Sequence, residues 1–102
     1  MIHELEQLIQ SRKNEPKEGS YTTYLLEQGV EKIAKKFGEE AFEVVIAAMT
    51  DEDLVEESAD LLYHLLVLLA AKGVRLEDVE ALLAKRHGTT TPAKPRRDVT
   101  EW

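Results

Sequence analysis

An all-α fold is predicted for this 102-residue sequence. Apolar residues recur at steps of three and four through successive segments, the spacing of one helix face. No segment alternates apolar with polar residues over the length a strand needs. The interruptions fall at Pro16, Gly19, Gly29 and Gly73, residue types that end or redirect helices.

The first helix is expected from Ile2 to about Lys13, with Ile2, Leu5, Leu8 and Ile9 on one face. Pro16 and Gly19 prevent its continuation. Ser20 is a suitable N-cap for a short helix from Tyr21 to Gln28, and Gly29 either ends it or forms the join to the next. A long helix, Val30 to Met49, carries Ile33, Phe37, Ala41, Val44, Val45 and Ala48 at helical steps. Thr50 with Asp53 resembles a capping box, with Asp in the Glu position. The fourth helix then runs from about Glu52 to Lys72 and stops at Gly73. Its second half is apolar on nearly every side, as in a helix surrounded by others. A last helix, about Leu76 to Lys85, presents Val79, Leu82 and Leu83. Residues 1–87 read as one helical domain, and 88–102, rich in Thr, Pro, Lys and Arg, as a tail in which Trp102 is the anchoring candidate.

This length allows one modest core, which helical proteins often complete by pairing with a second copy, so a homodimer or higher homo-oligomer is expected. The absence of cysteine excludes disulfides, thiolate metal sites and cysteine nucleophiles, and fits a reducing cytosol. The start of the chain turns acidic within a few residues and does not read as a secretory leader. The apolar run Ala59–Ala71 is too short to span a bilayer. The net charge of −7 argues against nucleic-acid binding by counterion release. An acidic protein can still handle phosphates when divalent cations bridge the two negative partners.

Four carboxylates carry that possibility. A helix turns about 100° per residue, so Glu40 and Glu43 share one side of the third helix, Lys36 and Lys32 extend that stripe, and Glu39 flanks it. The same arithmetic aligns Asp53, Glu57, Asp60 and His64 on the fourth helix. The short connection between the two helices favours an antiparallel pair with the acidic stripes facing each other. Mg²⁺ takes hard oxygen ligands, a few carboxylates with waters and phosphates, and two acid-x-x-acid steps supply such a set. Without a cation, four carboxylates brought together repel and some take up protons.

A single Glu-x-x-Glu is most often a solvated face. Two such steps on adjacent helices are more specific, and Ala59, Leu61 and Leu62 beside Asp60 predict its partial burial. Two readings stand for His64: a satisfied core histidine, the commoner case, or a group behind the carboxylates that orients one of them or contacts substrate. Tyr63 is core or interface. Lys32, Lys35 and Lys36 are ordinary surface lysines unless those on the stripe meet phosphate oxygens.

The order Glu39-Glu40-x-x-Glu43, a spacer, then Glu57-x-x-Asp60 resembles the signature of the all-α nucleoside-triphosphate pyrophosphohydrolases, the MazG-like superfamily. The strings Ser20-Tyr21-Thr22, Gly29-Val30-Glu31-Lys32-Ile33, Lys35-Lys36-Phe37-Gly38-Glu39-Glu40-Ala41, Ala59-Asp60-Leu61-Leu62-Tyr63-His64-Leu65 and Val74-Arg75-Leu76-Glu77-Asp78-Val79 are most similar to its phosphoribosyl-ATP pyrophosphohydrolase family. The resemblance spans about Leu5 to Arg86. It implies packed helices completed by dimerisation, a cytoplasmic setting, Mg²⁺ dependence, and cleavage of 1-(5-phosphoribosyl)-ATP to phosphoribosyl-AMP and pyrophosphate in histidine biosynthesis. By position, Glu40, Glu43, Glu57 and Asp60 inherit metal ligation. Glu39 and Glu40 are the catalytic candidates, although Glu39 binds metal, orients water or supports the site. Lys32 and Lys36 would hold the departing pyrophosphate. Two rivals stand beside this reading: a house-cleaning pyrophosphohydrolase of free (d)NTPs using the same site, and a non-catalytic helical dimerisation module with surface acids. A di-iron bundle needs Glu-x-x-His steps, and neither acidic step ends in His.

Overall fold

The computed structural model describes residues 1–88; the expectations for the tail, Trp102 included, otherwise lie outside the described residues. Within them the chain forms α1 (Ile2–Asn14), α2 (Tyr21–Gln28), α3 (Val30–Met49), α4 (Leu54–Ala71) and α5 (Leu76–His87), and no strand. Ser20 caps α2 as expected, its side chain accepting from Thr23 N at 3.2 Å. Gly29, at φ +92°, is both the end of α2 and the start of α3, a backbone conformation that side chains other than glycine's disfavour. The start of α4 differs from expectation. Asp53, not Thr50, is the N-cap, accepting from Glu56 N at 3.1 Å. The Thr50 hydroxyl instead donates back to Ile46 O at 2.9 Å, closing the last turn of α3. Gly73, at φ +72°, ends α4 in a Schellman motif, with Gly73 N bonded to Ala70 O and Val74 N to Leu69 O.

Helices α3 and α4, joined through residues 50–53, make the most extensive contact in the fold, and α1 and α2 pack across α4. The core is small: Ile9, Leu25, Ile33, Leu66, Val67 and Ala70, one or more from each of α1 to α4. Thus the apolar second half of α4 is indeed enclosed, but its first half is not, with Val55 81% exposed. Helix α5 buries no residue and is tied mainly to α1. Glu6 accepts from Leu76 N at 2.7 Å, capping α5 from a distant part of the chain, and His3 pairs with Glu80. Several apolar residues remain outside the core, among them Phe42 (64% exposed), Val45 and Met49 on α3 and Leu62 on α4. No helix among the described residues is long and apolar enough to cross a membrane.

Candidate metal and phosphate site

The α3–α4 pairing brings the two acidic stripes together. Glu40, Glu57 and Asp60 each offer a carboxylate oxygen within 4.8 Å of the others, close enough to converge on one cation. Glu40 and Glu57 are partly buried, whereas Asp60 is exposed. That reverses the burial expected for Asp60. Its neighbours in sequence Ala59 and Leu62 are exposed too, so among the described residues no helix encloses this part of α4. Glu43 stands outside the triplet, on an exposed part of α3. Its charge nevertheless reaches Glu57, whose carboxyl is held above the ordinary glutamate value by burial first, then by Glu43, Asp60, Glu40 and Glu56. Acidic neighbours that oppose the ionisation of Glu57 have the electrostatics of a cation site, and the all-oxygen donor set suits a hard ion such as Mg²⁺.

Of the two stripe lysines, Lys36 is the one placed against the acids. Its ammonium lies 3.5 Å from a Glu40 oxygen and 3.8 Å from one of Glu39. Desolvation is the largest single influence and pulls its pKa down, but Tyr21, Glu40 and Glu39 together outweigh it and leave the value raised. Lys36 therefore stays charged at neutral pH. Lys32 is exposed and takes part in no ion pair among the described residues. Glu39 is also exposed and joins the cluster only through Lys36.

His64 is buried, at 5% exposure, directly behind the fourth-helix acids. Its Nδ1 lies 2.7 Å from the backbone carbonyl of Asp60. A carbonyl only accepts, so Nδ1 carries the proton, and in the neutral ring Nε2 accepts from the Tyr21 hydroxyl 3.3 Å away. His64 is thus a satisfied core histidine, and its partner is the backbone of Asp60 and not a carboxylate. Around it, Tyr21, Tyr63 and Tyr24 form an aromatic group, with His64 edge-on to Tyr21 and Tyr63 at centroid distances of 6.0 and 5.1 Å. Tyr63 and Thr22 share a hydrogen bond between hydroxyls, and burial raises the Tyr63 pKa. Among the described residues no buried side-chain polar atom lacks a partner. Sequence spacing alone does not reveal Tyr21, since its link to the site runs between helices; the only sign of it is the Ser-Tyr-Thr string at the start of α2.

The same stretch of chain carries the relationship to known proteins. Residues 2–87 match the family model described as phosphoribosyl-ATP pyrophosphohydrolase. The chain belongs to this family. Among curated relatives, the phosphoribosyl-ATP pyrophosphatase of Listeria welshimeri is 50% identical across 99% of both chains. Those of Streptococcus gordonii and Streptococcus thermophilus are 49% and 48% identical, each across 100% of both chains. The match covers all five helices and hence both acidic steps, Lys36, His64 and Tyr21.

Proposed function

We propose that this chain hydrolyses 1-(5-phosphoribosyl)-ATP to 1-(5-phosphoribosyl)-AMP and pyrophosphate, the second step of histidine biosynthesis, in the cytoplasm and with Mg²⁺. The observation that carries the reading is the convergence of Glu40, Glu57 and Asp60 beside a charged Lys36, in a chain of this family. Glu40, Glu57 and Asp60 would hold the ion, with Glu43 completing or steadying the set. Bound there, Mg²⁺ supplies Lewis acidity and neutralises triphosphate charge. The chain's own groups do the rest. Lys36 meets the phosphate charge that the cation leaves unbalanced and steadies the departing pyrophosphate. Glu39, exposed and only loosely paired, is free to take the proton of the attacking water. Lys32, further along the stripe, is a subsidiary phosphate contact.

We also assign a homodimer. Phe42, Val45 and Met49 on α3, and Val55 and Leu62 on α4, are apolar, 49% to 81% exposed, and lie on the sides of their helices away from the acids. Side chains of this kind are depleted from free surfaces and enriched in permanent interfaces.

Turnover of phosphoribosyl-ATP, set beside a panel of free (d)NTPs, with and without Mg²⁺ and with products identified, tests the reading. Preference for free nucleotides would favour the house-cleaning alternative. Absence of both turnover and Mg²⁺-dependent stabilisation would leave only the dimerisation module.

A further inference from the structure

A cavity of about 440 Å³ opens beside α2 and has no part in the chemistry described so far. Its volume falls in the range of small-molecule sites. Lys17, Glu18, Tyr21, Tyr24 and Glu27 supply its chemistry. Its wall is tied down within the chain: Lys17 N donates to Thr23 Oγ1 at 3.0 Å, and Thr23 N donates to Ser20 Oγ at 3.2 Å. Tyr21 and Tyr24 lie one turn apart on α2. Their rings are inclined by only 21°, with centroids 6.1 Å apart, and each residue is 48% exposed, so both keep surface free for stacking.

Tyr21 also joins the cavity to the carboxylate cluster. Its hydroxyl is 3.3 Å from His64 Nε2, and His64 Nδ1 is 2.7 Å from the Asp60 carbonyl. One tyrosine and one imidazole, with ring centroids 6.0 Å apart, therefore separate the cavity from a candidate metal ligand. In an adenine nucleotide one ribose separates the base from the α-phosphate, a span of the same order.

We propose that this cavity holds the adenine ring of phosphoribosyl-ATP and distinguishes it, by charge, from the adenine of free ATP. The inference rests on the substrate proposed above. Carbon bonded to N1 turns adenine into an amidinium that keeps its proton near neutral pH, so the substrate's ring is a cation and that of ATP is not. Tyrosine faces attract cations as well as stack on flat rings. Glu18 and Glu27 outnumber Lys17 in the lining, and none of them joins an ion pair among the described residues. The lining is thus net negative. That suits a cationic ring and disfavours a phosphate, which sets the orientation: base beside α2, triphosphate toward the carboxylates and Lys36.

Calorimetric binding of 1-methyl-AMP and of AMP tests this apart from turnover, since neither carries the bond to be cleaved. Only the methylated ring is a cation, and the unaltered protein should bind it about 10-fold more tightly, the size of a partly desolvated cation–π contact. Tyr24→Leu gives up one stacking face and should lose about 10-fold in affinity for 1-methyl-AMP, whereas Tyr24→Phe should keep it. Glu27→Gln should narrow the preference and leave AMP binding unchanged. Both positions are exposed, so neither change empties the core. With phosphoribosyl-ATP, Tyr24→Leu should raise KM and leave kcat, as for a contact kept from ground state to transition state. Equal affinity for the two nucleotides, or variants that bind like the parent, would overturn the proposal. If phosphoribosyl-ATP is turned over without that preference, the role of the cavity falls and the substrate assignment stands. If 1-methyl-AMP is preferred, the variants lose it, and phosphoribosyl-ATP is not turned over, the cavity remains a site for a cationic base and the substrate assignment falls.

Discussion

His64 Nδ1 and the Asp60 carbonyl are joined by a 2.7 Å hydrogen bond within one turn of α4, so the imidazole braces the backbone of a residue whose carboxylate faces the candidate cation. The carbonyl is also the ordinary partner of the helix amide one turn on, and the ring adds a second donor to it. Position and hydrogen bonding are thereby linked: Nδ1 donates to the Asp60 carbonyl, and Nε2 faces the Tyr21 hydroxyl.

Replacing His64 by Ala should destabilise the fold by about 2 kcal/mol or more, from two lost hydrogen bonds and a cavity behind the acids. His64→Asn, which returns a donor near the Nδ1 position, should recover part of that loss. Urea denaturation of the three proteins gives the comparison, and equal stability of His64→Ala and the parent would contradict the bracing role.

Glu40→Gln and Asp60→Asn each keep shape while removing a charge from the triplet. Disturbing even the outer partners of a metal site costs about 10- to 100-fold, so loss of a ligand should cost at least that in kcat/KM. Steady-state kinetics across a Mg²⁺ titration decides it. Full activity of either variant at saturating Mg²⁺ would show that its carboxylate is not a ligand.

Legibility of the fold and of the site differed for a physical reason. Helix spans and the stops at Gly29 and Gly73 depend on neighbours in sequence, and the structure keeps them to within a few residues. The α4 cap is ambiguous in sequence because Thr50 and Asp53 are both good caps, and the choice turns on whether Thr50 closes α3 behind it or opens α4 ahead. The acid steps were legible because helical periodicity sets which residues share a side. Asp60's exposure, Glu6 capping α5 and Tyr21 reaching His64 were not, since each depends on how helices distant in sequence lie against one another.

Asp53 offers a direct check on that corrected cap. Asp53→Ala should cost about 1 kcal/mol, the usual loss for an N-cap acid, while Thr50→Ala should cost less. Chemical denaturation midpoints of the two variants give the order, and a larger loss at Thr50 would place the cap there instead.

The exposed apolar side of α3 and α4 predicts that Val45→Asp shifts the protein toward monomer without removing the carboxylate cluster, which lies on the other side of both helices. Sedimentation velocity at several concentrations reads the change. A parent protein already monomeric throughout would refute the homodimer.

Glu57 gives the last prediction, in which stability depends on both pH and metal. Its folded carboxyl holds a proton more tightly than in the unfolded chain, through burial and then the charges of Glu43, Asp60, Glu40 and Glu56. For an acid whose folded pKa is raised, the folded state binds the extra proton, so the stabilising contribution is present below the unfolded value and lost as pH rises through the folded one. At neutral pH the ionised Glu57 therefore weakens the metal-free fold. Glu57→Gln should melt higher than the parent at pH 7 without metal, and the gap should narrow as the pH is lowered toward the ordinary glutamate range. Added Mg²⁺ should reverse the order, because a cation that binds only the folded state stabilises it in proportion to its affinity, and the parent keeps the ligand that the variant lacks. Melting curves at several pH values, each with and without Mg²⁺, test both arms. A variant that melts below the parent without metal contradicts the repulsion, and an equal response to Mg²⁺ removes Glu57 from the ligand set.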